Sequence, residues 1–244
     1  MYRHLSFVVL IIFAFSSNSS AFAKKKKILI FSKTSGFHHS SIKEGVTALQ
    51  AMSIAQEFTA DTTTDAQKFN PHNLKQYAAV VFLNTTGDIL NSQQEKAFEA
   101  YIRSGGGFVG VHAATDTEYD WPWYGKLVGA YFVNHPAQQF ANLEVIDKKT
   151  IATAHLPEVW NRKDEWYNFK DISPTINVLI NLQESSYQGG SNGQQHPMAW
   201  YHDFEGGRVF YTGLGHTAES YTDPLFLQHL WGGIQYARGI KKMK

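Results

Sequence analysis

Three short apolar runs, each leading into a helical segment, constrain this chain more than any other feature. Lys27-Ile-Leu-Ile-Phe-Ser32, Ala78 to Leu83 and Phe108 to Val111 are continuous rather than alternating in polarity. Such strands are buried on both faces, as in a parallel sheet covered by helices. Between them, Ile42 to Met52 carries Ile42, Val46 and Leu49 at helical spacing, with Ser40 or Ser41 as cap. Asn91 or Ser92 caps a second helix that runs to Arg103, and Gly105 to Gly107 stop it. A strand around Phe58 and a turn of helix over Pro71 to Leu74 complete an alternation that predicts an α/β fold. After residue 130 the spacing predicts strands over Asn142 to Ile146, Asn177 to Asn181, Met198 to His202 and Arg208 to Thr212. The last two flank a hairpin signal, Asp203-Phe-Glu-Gly-Gly207, and Pro224 to Arg238 closes the chain as an amphipathic helix. No repeat or linker divides residues 24–244, which are read as one domain.

The first 23 residues are set apart. Arg3 and His4, the apolar run Leu5 to Phe15 and Ala21-Phe22-Ala23 have the pattern of a cleavable secretory signal, cut after Ala23. An uncleaved anchor is the alternative, but the run is shorter than the roughly 20 apolar residues of a membrane span. The expected location is therefore periplasmic or secreted, without membrane contact after cleavage. The chain has no cysteine, which excludes disulfides, thiolate metal ligands and thiol nucleophiles. Its formal charge is +1, so no basic face offers itself to nucleic acid.

In an open parallel sheet, ligands sit beyond the carboxyl ends of the strands. Three loops leave those ends, at 33–41, 84–88 and 112–125, and they hold His38, His39 and His112. Gly105 to Gly107 is not read as a phosphate loop, because it precedes a strand rather than opening a helix.

Several motifs carry a resemblance. "SGFHHSS", "GGGFVGVHAATDTEYDWPWYGKLVGAYFVNHP", "DEWYNF", "HPMAWYHDFEGGRVFYTGLGHTAESY" and "FLQHLWGGIQYARG" together resemble the ThuA-like (trehalose-utilisation) family, from about Lys27 to Gly239. The resemblance implies a flavodoxin-like, class I glutamine amidotransferase-like three-layer sandwich with a mostly parallel central sheet. It also implies catabolism of disaccharides and other glycosides, often through 3-keto sugars. In amidotransferases a G-x-C-x-G turn carries the nucleophile and a later H-P-E its base and acid. Here "GVHAA" puts His112 at the cysteine position, and "GLGHTAES" puts His216 and Glu219 where H-P-E is expected. The scaffold is retained but the nucleophile is not, and neutral imidazole is a poor substitute for a thiolate. Amidotransferase activity is excluded.

The first functional reading is therefore an enzyme acting on 3-keto-glycosides as a lyase, hydrolase or isomerase, by histidine general acid/base chemistry. A C3 ketone acidifies the hydrogen at C2, and the resulting enolate expels the C1 substituent or is reprotonated. In this reading His112 is the base, His216 with Glu219 the acid pair, and His38 or His39 the electrophilic donor. His196 and His135 precede prolines, which fix local backbone, and His196 is counted with the substrate-binding candidates. Asp116 and Glu118 are expected to orient His112 or bind sugar hydroxyls; a helix cap or solvated loop is the alternative. Asp164 and Glu165 beside Trp166, together with Trp121, suit a pyranose, with acids on hydroxyls and rings on the apolar face. Core packing is the competing explanation for each ring. A divalent metal held by histidines and carboxylates is a possible cofactor, although no diagnostic ligand spacing occurs. The second reading is a non-catalytic sugar-binding module or a partner subunit of a sugar dehydrogenase. The third is a scaffold packed within a larger assembly.

Overall fold

A computed structural model of the chain describes residues 27–244. The proposed signal segment and the cleavage after Ala23 lie outside the described residues. Five strands form one half of a nine-stranded sheet: β1 (Lys27–Phe31), β2 (Thr59–Thr63), β3 (Tyr77–Leu83), β4 (Gly107–Val111) and, near the end of the chain, β11 (Gly207–Thr212). They run in the spatial order β2-β1-β3-β4-β11, all parallel. The second half continues through β10 (Pro197–Phe204), β9 (Asn177–Leu182), β6 (Gln139–Val145) and β7 (Val159–Asp164), each antiparallel to its neighbour. Only β10 and β6 therefore oppose the common direction, and the sheet is mostly parallel. A separate ribbon pairs β5 (Tyr131–Asn134) with β8 (Asn168–Lys170).

Helices cover both faces of the parallel half. α1 (Ile42–Ala55) and α5 (Pro224–Ala237) lie on one side, over Leu83 and Phe210. α2 (Pro71–Leu74), α3 (Ser92–Arg103) and α4 (Pro122–Val128) belong to the other layer. There Phe82 and Phe108 pack against Phe98 of α3 and Tyr124 of α4, with ring centroids 5.5–6.1 Å apart. Leu83 and Phe82 are successive residues of β3, so they point to opposite faces and feed opposite layers. This is the α/β three-layer sandwich expected from the continuous apolar strands. Asn91 caps α3 through a reciprocal capping box with Gln94, and Gly105, at φ 91°, closes it. The β10–β11 hairpin turns on Glu205 and Gly206, both at positive φ, as a two-residue loop requires.

The antiparallel half does not lie flat. Four strand spacings of about 4.8 Å separate β11 from β7, about 19 Å in a flat sheet. Yet Asp164, the last residue of β7, accepts the backbone N–H groups of Gly215 and His216 just after β11, at 3.2 Å each. The half-sheet curls until its far edge meets the end of β11. The segments over β5, β7, β8 and α4 are the elements that the sequence reading did not separate. Among the described residues no helix is long and apolar enough to cross a membrane.

Candidate active site

β4 and β11 lie side by side, with Val111 opposite Thr212. The chain leaving each strand supplies one imidazole, so two histidines 104 residues apart in sequence become neighbours. His112 sits at φ 48°, in the left-handed region. A residue with a side chain pays roughly 1–3 kcal/mol for that conformation, so its surroundings must impose it. They do. The Tyr211 hydroxyl donates to the His112 carbonyl at 2.7 Å, and the Tyr167 ring lies over the imidazole with centroids 4.2 Å apart. His112 Nδ1 donates to the Gly213 carbonyl at 2.9 Å. A carbonyl only accepts, so Nδ1 carries a proton, and Nε2 faces inward.

Gly215, at φ 107°, makes the turn that presents His216. The Asp164 carboxylate holds this turn. It accepts from the N–H of Gly215 and His216, from its own neighbour Glu165 at 3.0 Å, from Ser220 Oγ at 3.3 Å and from Arg162 Nη2 at 3.3 Å. One buried carboxylate thus fixes the backbone of both Glu165 and His216. Their side chains meet in front of His112. Glu165 Oε2 lies 3.0 Å from His216 Nδ1 and 3.5 Å from His112 Nε2, and the two imidazole nitrogens are 3.1 Å apart. Glu165 Oε1 faces outward, 3.2 Å from His135 Nδ1. The Gln138 amide donates to His216 Nε2 at 2.8 Å. His39 completes the group edge-on, its ring centroid 5.0 Å from that of His112 and 5.1 Å from that of His216. Donor atoms of His39, His112, Glu165 and His216 all lie within 4.8 Å of one another.

Burial and mutual contact set the charges. Burial, followed by the two neighbouring imidazoles, pushes His39 down to about 3, so it is neutral near pH 7. Burial alone would raise Glu165, but hydrogen bonds and attraction from His112 and His216 win and hold its carboxyl well below the usual carboxylate range. The centre is an ionised carboxylate facing three imidazoles.

Of the residues singled out from the sequence, His39, His112, His216 and Glu165 converge here. His38 stays on the exposed rim, with Nδ1 3.2 Å from Thr34 Oγ1. Glu219 is exposed, and His216 pairs with Glu165 instead. The reason is the curled half-sheet, which delivers an acid from β7 to a loop that seemed to carry its own. Asp164 is fully buried as the clamp and cannot bind a sugar. Trp166 is fully buried and donates to the Gln139 carbonyl, while Trp121 is buried against Trp123 and Tyr124. Both rings are core, not platforms. Glu118 is buried and accepts from the N–H groups of Ile89 and Leu90 at 3.0 and 2.7 Å, fastening a loop rather than orienting His112. His196 is fully buried between Glu184 Oε1 and the Tyr167 carbonyl, 2.8 Å from each. Asp116 is half-buried and accepts from Tyr119 Oη at 2.7 Å; its electrostatic contact with His112 and His135 puts it beside the centre.

Three participants were missing from the sequence-based site: His135, Gln138 and Tyr167. Tyr167 lay within the quoted "DEWYNF", and a histidine before a proline marked His135, but nothing local marked Gln138. A cavity of 890 Å³ lies elsewhere, between α1 and α5, with walls that include Ala48, Met52, Leu227 and Trp231. It contains none of the four clustered residues.

Comparison with known proteins follows the same lines. A protein described as ThuA-like from Bacteroides uniformis superposes with a TM-score of 0.75 at 25% identity, over 90% of this chain and 93% of its own. A second, from Parabacteroides merdae, gives 0.74 at 22% identity, over 89% and 91%. A β-galactosidase from Bacillus circulans sp. alkalophilus shares the fold alone, with a TM-score of 0.58 at 14% identity, over 88% of this chain and 31% of its own. No curated protein matches the chain. The ThuA family, described as trehalose utilisation, matches residues 27–237. With that match spanning nearly all the described residues, this chain belongs to the ThuA family.

Proposed function

We propose that this protein is an exported enzyme of carbohydrate catabolism that acts on glycosides or disaccharides, with 3-keto-glycosides as its substrate class. The carrying observation is the convergence of three imidazoles and one carboxylate within 4.8 Å, beyond the carboxyl ends of β4 and β11. Export is supported by the signal-like pattern of residues 1–23. A carbohydrate substrate is supported by the family, described as trehalose utilisation.

Cleavage through a 3-keto sugar needs a base for the C2 proton, an electrophile for the enolate oxygen and an acid for the leaving C1 oxygen. His112 has no exposed surface, so it cannot touch a C2 proton, and the role of base moves outward. His135 is the exposed imidazole of the group, braced against Glu165 Oε1. It takes the C2 proton and returns it to the leaving oxygen. The Gln138 amide, beside His216 at the opening, donates to the ketone oxygen as it gains charge, while the buried His39 and His112 and the Glu165 carboxylate hold His216 in place. His216, partly exposed, is the inner group that reaches the opening. The products are the C1 alcohol and a 1,2-unsaturated 3-keto sugar, so atoms and protons balance.

The alternative is a sugar-binding module or a subunit that serves a sugar dehydrogenase. The near-complete burial of His39 and His112 favours it. Sugar release separates the two. Purified protein incubated with a 3-keto disaccharide should liberate its aglycone sugar and leave the unoxidised disaccharide intact. No release, with or without added divalent metal, would leave the binding reading in place.

A further inference from the structure

The inner group has more donor atoms than a proton relay uses. Among the described residues His39 Nδ1 is buried and has no hydrogen-bond partner, although a polar atom taken out of water without one is costly. The residue is 2% exposed, and its ring stands against two other imidazoles and a carboxylate. His112 has the arrangement of a metal-ligating histidine: one nitrogen donates to a backbone carbonyl, and the other faces the centre. The short side-chain separations are 3.0, 3.1 and 3.5 Å. Donors about 2.1 Å from one tetrahedral ion stand about 3.4 Å apart, and none can stand further apart than about 4.2 Å. The widest limit here, 4.8 Å, needs only a slight contraction.

We propose that His39, His112, His216 and Glu165 bind one divalent transition-metal ion of the zinc type. Three imidazole nitrogens and one carboxylate suit ions that favour nitrogen, and disfavour Mg²⁺ and Ca²⁺, which prefer shells of oxygen. Glu165 coordinates through Oε2 and keeps Oε1 on His135. Coordination at His216 Nδ1 places the ring proton on Nε2, and Gln138 answers by turning its amide oxygen toward it. The ion's role rests on the reading given above: it would be the electrophile for the ketone oxygen, leaving His135 to move the proton. Binding itself needs no substrate, so failure of one claim is distinguishable from failure of the other.

The test uses chelator-stripped protein without an added histidine tag, titrated with Zn²⁺ by calorimetry and with Co²⁺ by visible absorption. The expected result is one ion per chain and no binding of Mg²⁺ or Ca²⁺. Loss of even an indirect partner of a metal ligand weakens affinity about 10–100-fold. His39→Asn, His216→Asn and Glu165→Gln should therefore each weaken binding about 100-fold or more, while His72→Ala, on the exposed side of α2, changes nothing. No binding by the parent protein, or equal binding in all these variants, overturns the proposal. If the variants fail to fold, X-ray absorption on the cobalt-loaded parent reads the ligands directly. Three imidazoles support the site, and fewer than three overturn it.

Discussion

Asp164→Asn is the sharpest probe of how the fold builds its site. The exchange keeps the shape and removes one acceptor oxygen and the charge. Oδ1 accepts from Glu165 and His216, while Oδ2 accepts from Gly215, Ser220 and Arg162. An asparagine oriented to satisfy the first pair turns its NH₂ toward the N–H of Gly215 and the guanidinium of Arg162. Both donors then lose their acceptor in a site with no access to water. Breaking a buried ion pair from one side costs about 3–5 kcal/mol. Arg162 keeps Asp223 at 3.2 Å and Ser220 at 2.7 Å, which places the loss at the lower end, about 3 kcal/mol. For a domain of this size each kcal/mol moves the melting temperature by about 2–4 °C, so a fall of about 6–12 °C is expected. Calorimetric melting of parent and variant measures it. A variant melting within about 1 °C of the parent would refute the clamp, and with it the account of why Glu165 and His216 meet.

Gly215→Ala should destabilise by about 1 kcal/mol or more, because φ is 107° and the new Cβ would lie 2.9 Å from Tyr221 Oη; denaturant unfolding reads the change. Burial, against its bond to Ala152, pushes His229 down from 6.5 to about 4. The unfolded chain therefore binds the extra proton between these values. Stability present above pH 6.5 is lost as pH falls through that window, by about 3 kcal/mol at most, and a His229→Asn protein should show a flatter acid limb in melts from pH 7 to 4. Glu118 has the opposite sign. Burial, against bonds from Ile89 and Leu90, raises it from 4.5 to about 7, so its contribution is complete below pH 4.5 and declines as pH rises toward 7. Glu118→Gln keeps an acceptor for both N–H groups and should reduce that decline in melts from pH 5 to 8.

The parallel half of the fold was legible because its strands are doubly buried and therefore continuously apolar. The strand over Val159–Asp164 was not, for a physical reason. Its inward residues are Trp160, Arg162 and Asp164, and two of those three are charged. They satisfy each other and the loop after β11, so the interior of this strand reads as surface. The same event hid the site's acid. Glu165 was visible as an acid beside aromatics, but its pairing with His216 depends on the curl of the sheet, which no local pattern records. His112 and His216 were legible because both follow strands that the topology makes adjacent. Trp121 and Trp166 misled, since a tryptophan with its N–H satisfied by Glu99 or by Gln139 belongs to the interior as readily as to a binding face.

The account rests on a proton leaving the carbon next to a ketone at this centre, and proton NMR in D₂O observes that step directly. A 3-keto-glycoside incubated with the protein should lose its C2 proton signal by exchange or elimination, and Glu165→Gln should slow the loss. Release of sugar with the C2 proton fully retained, or loss at the same rate in the variant, would contradict it.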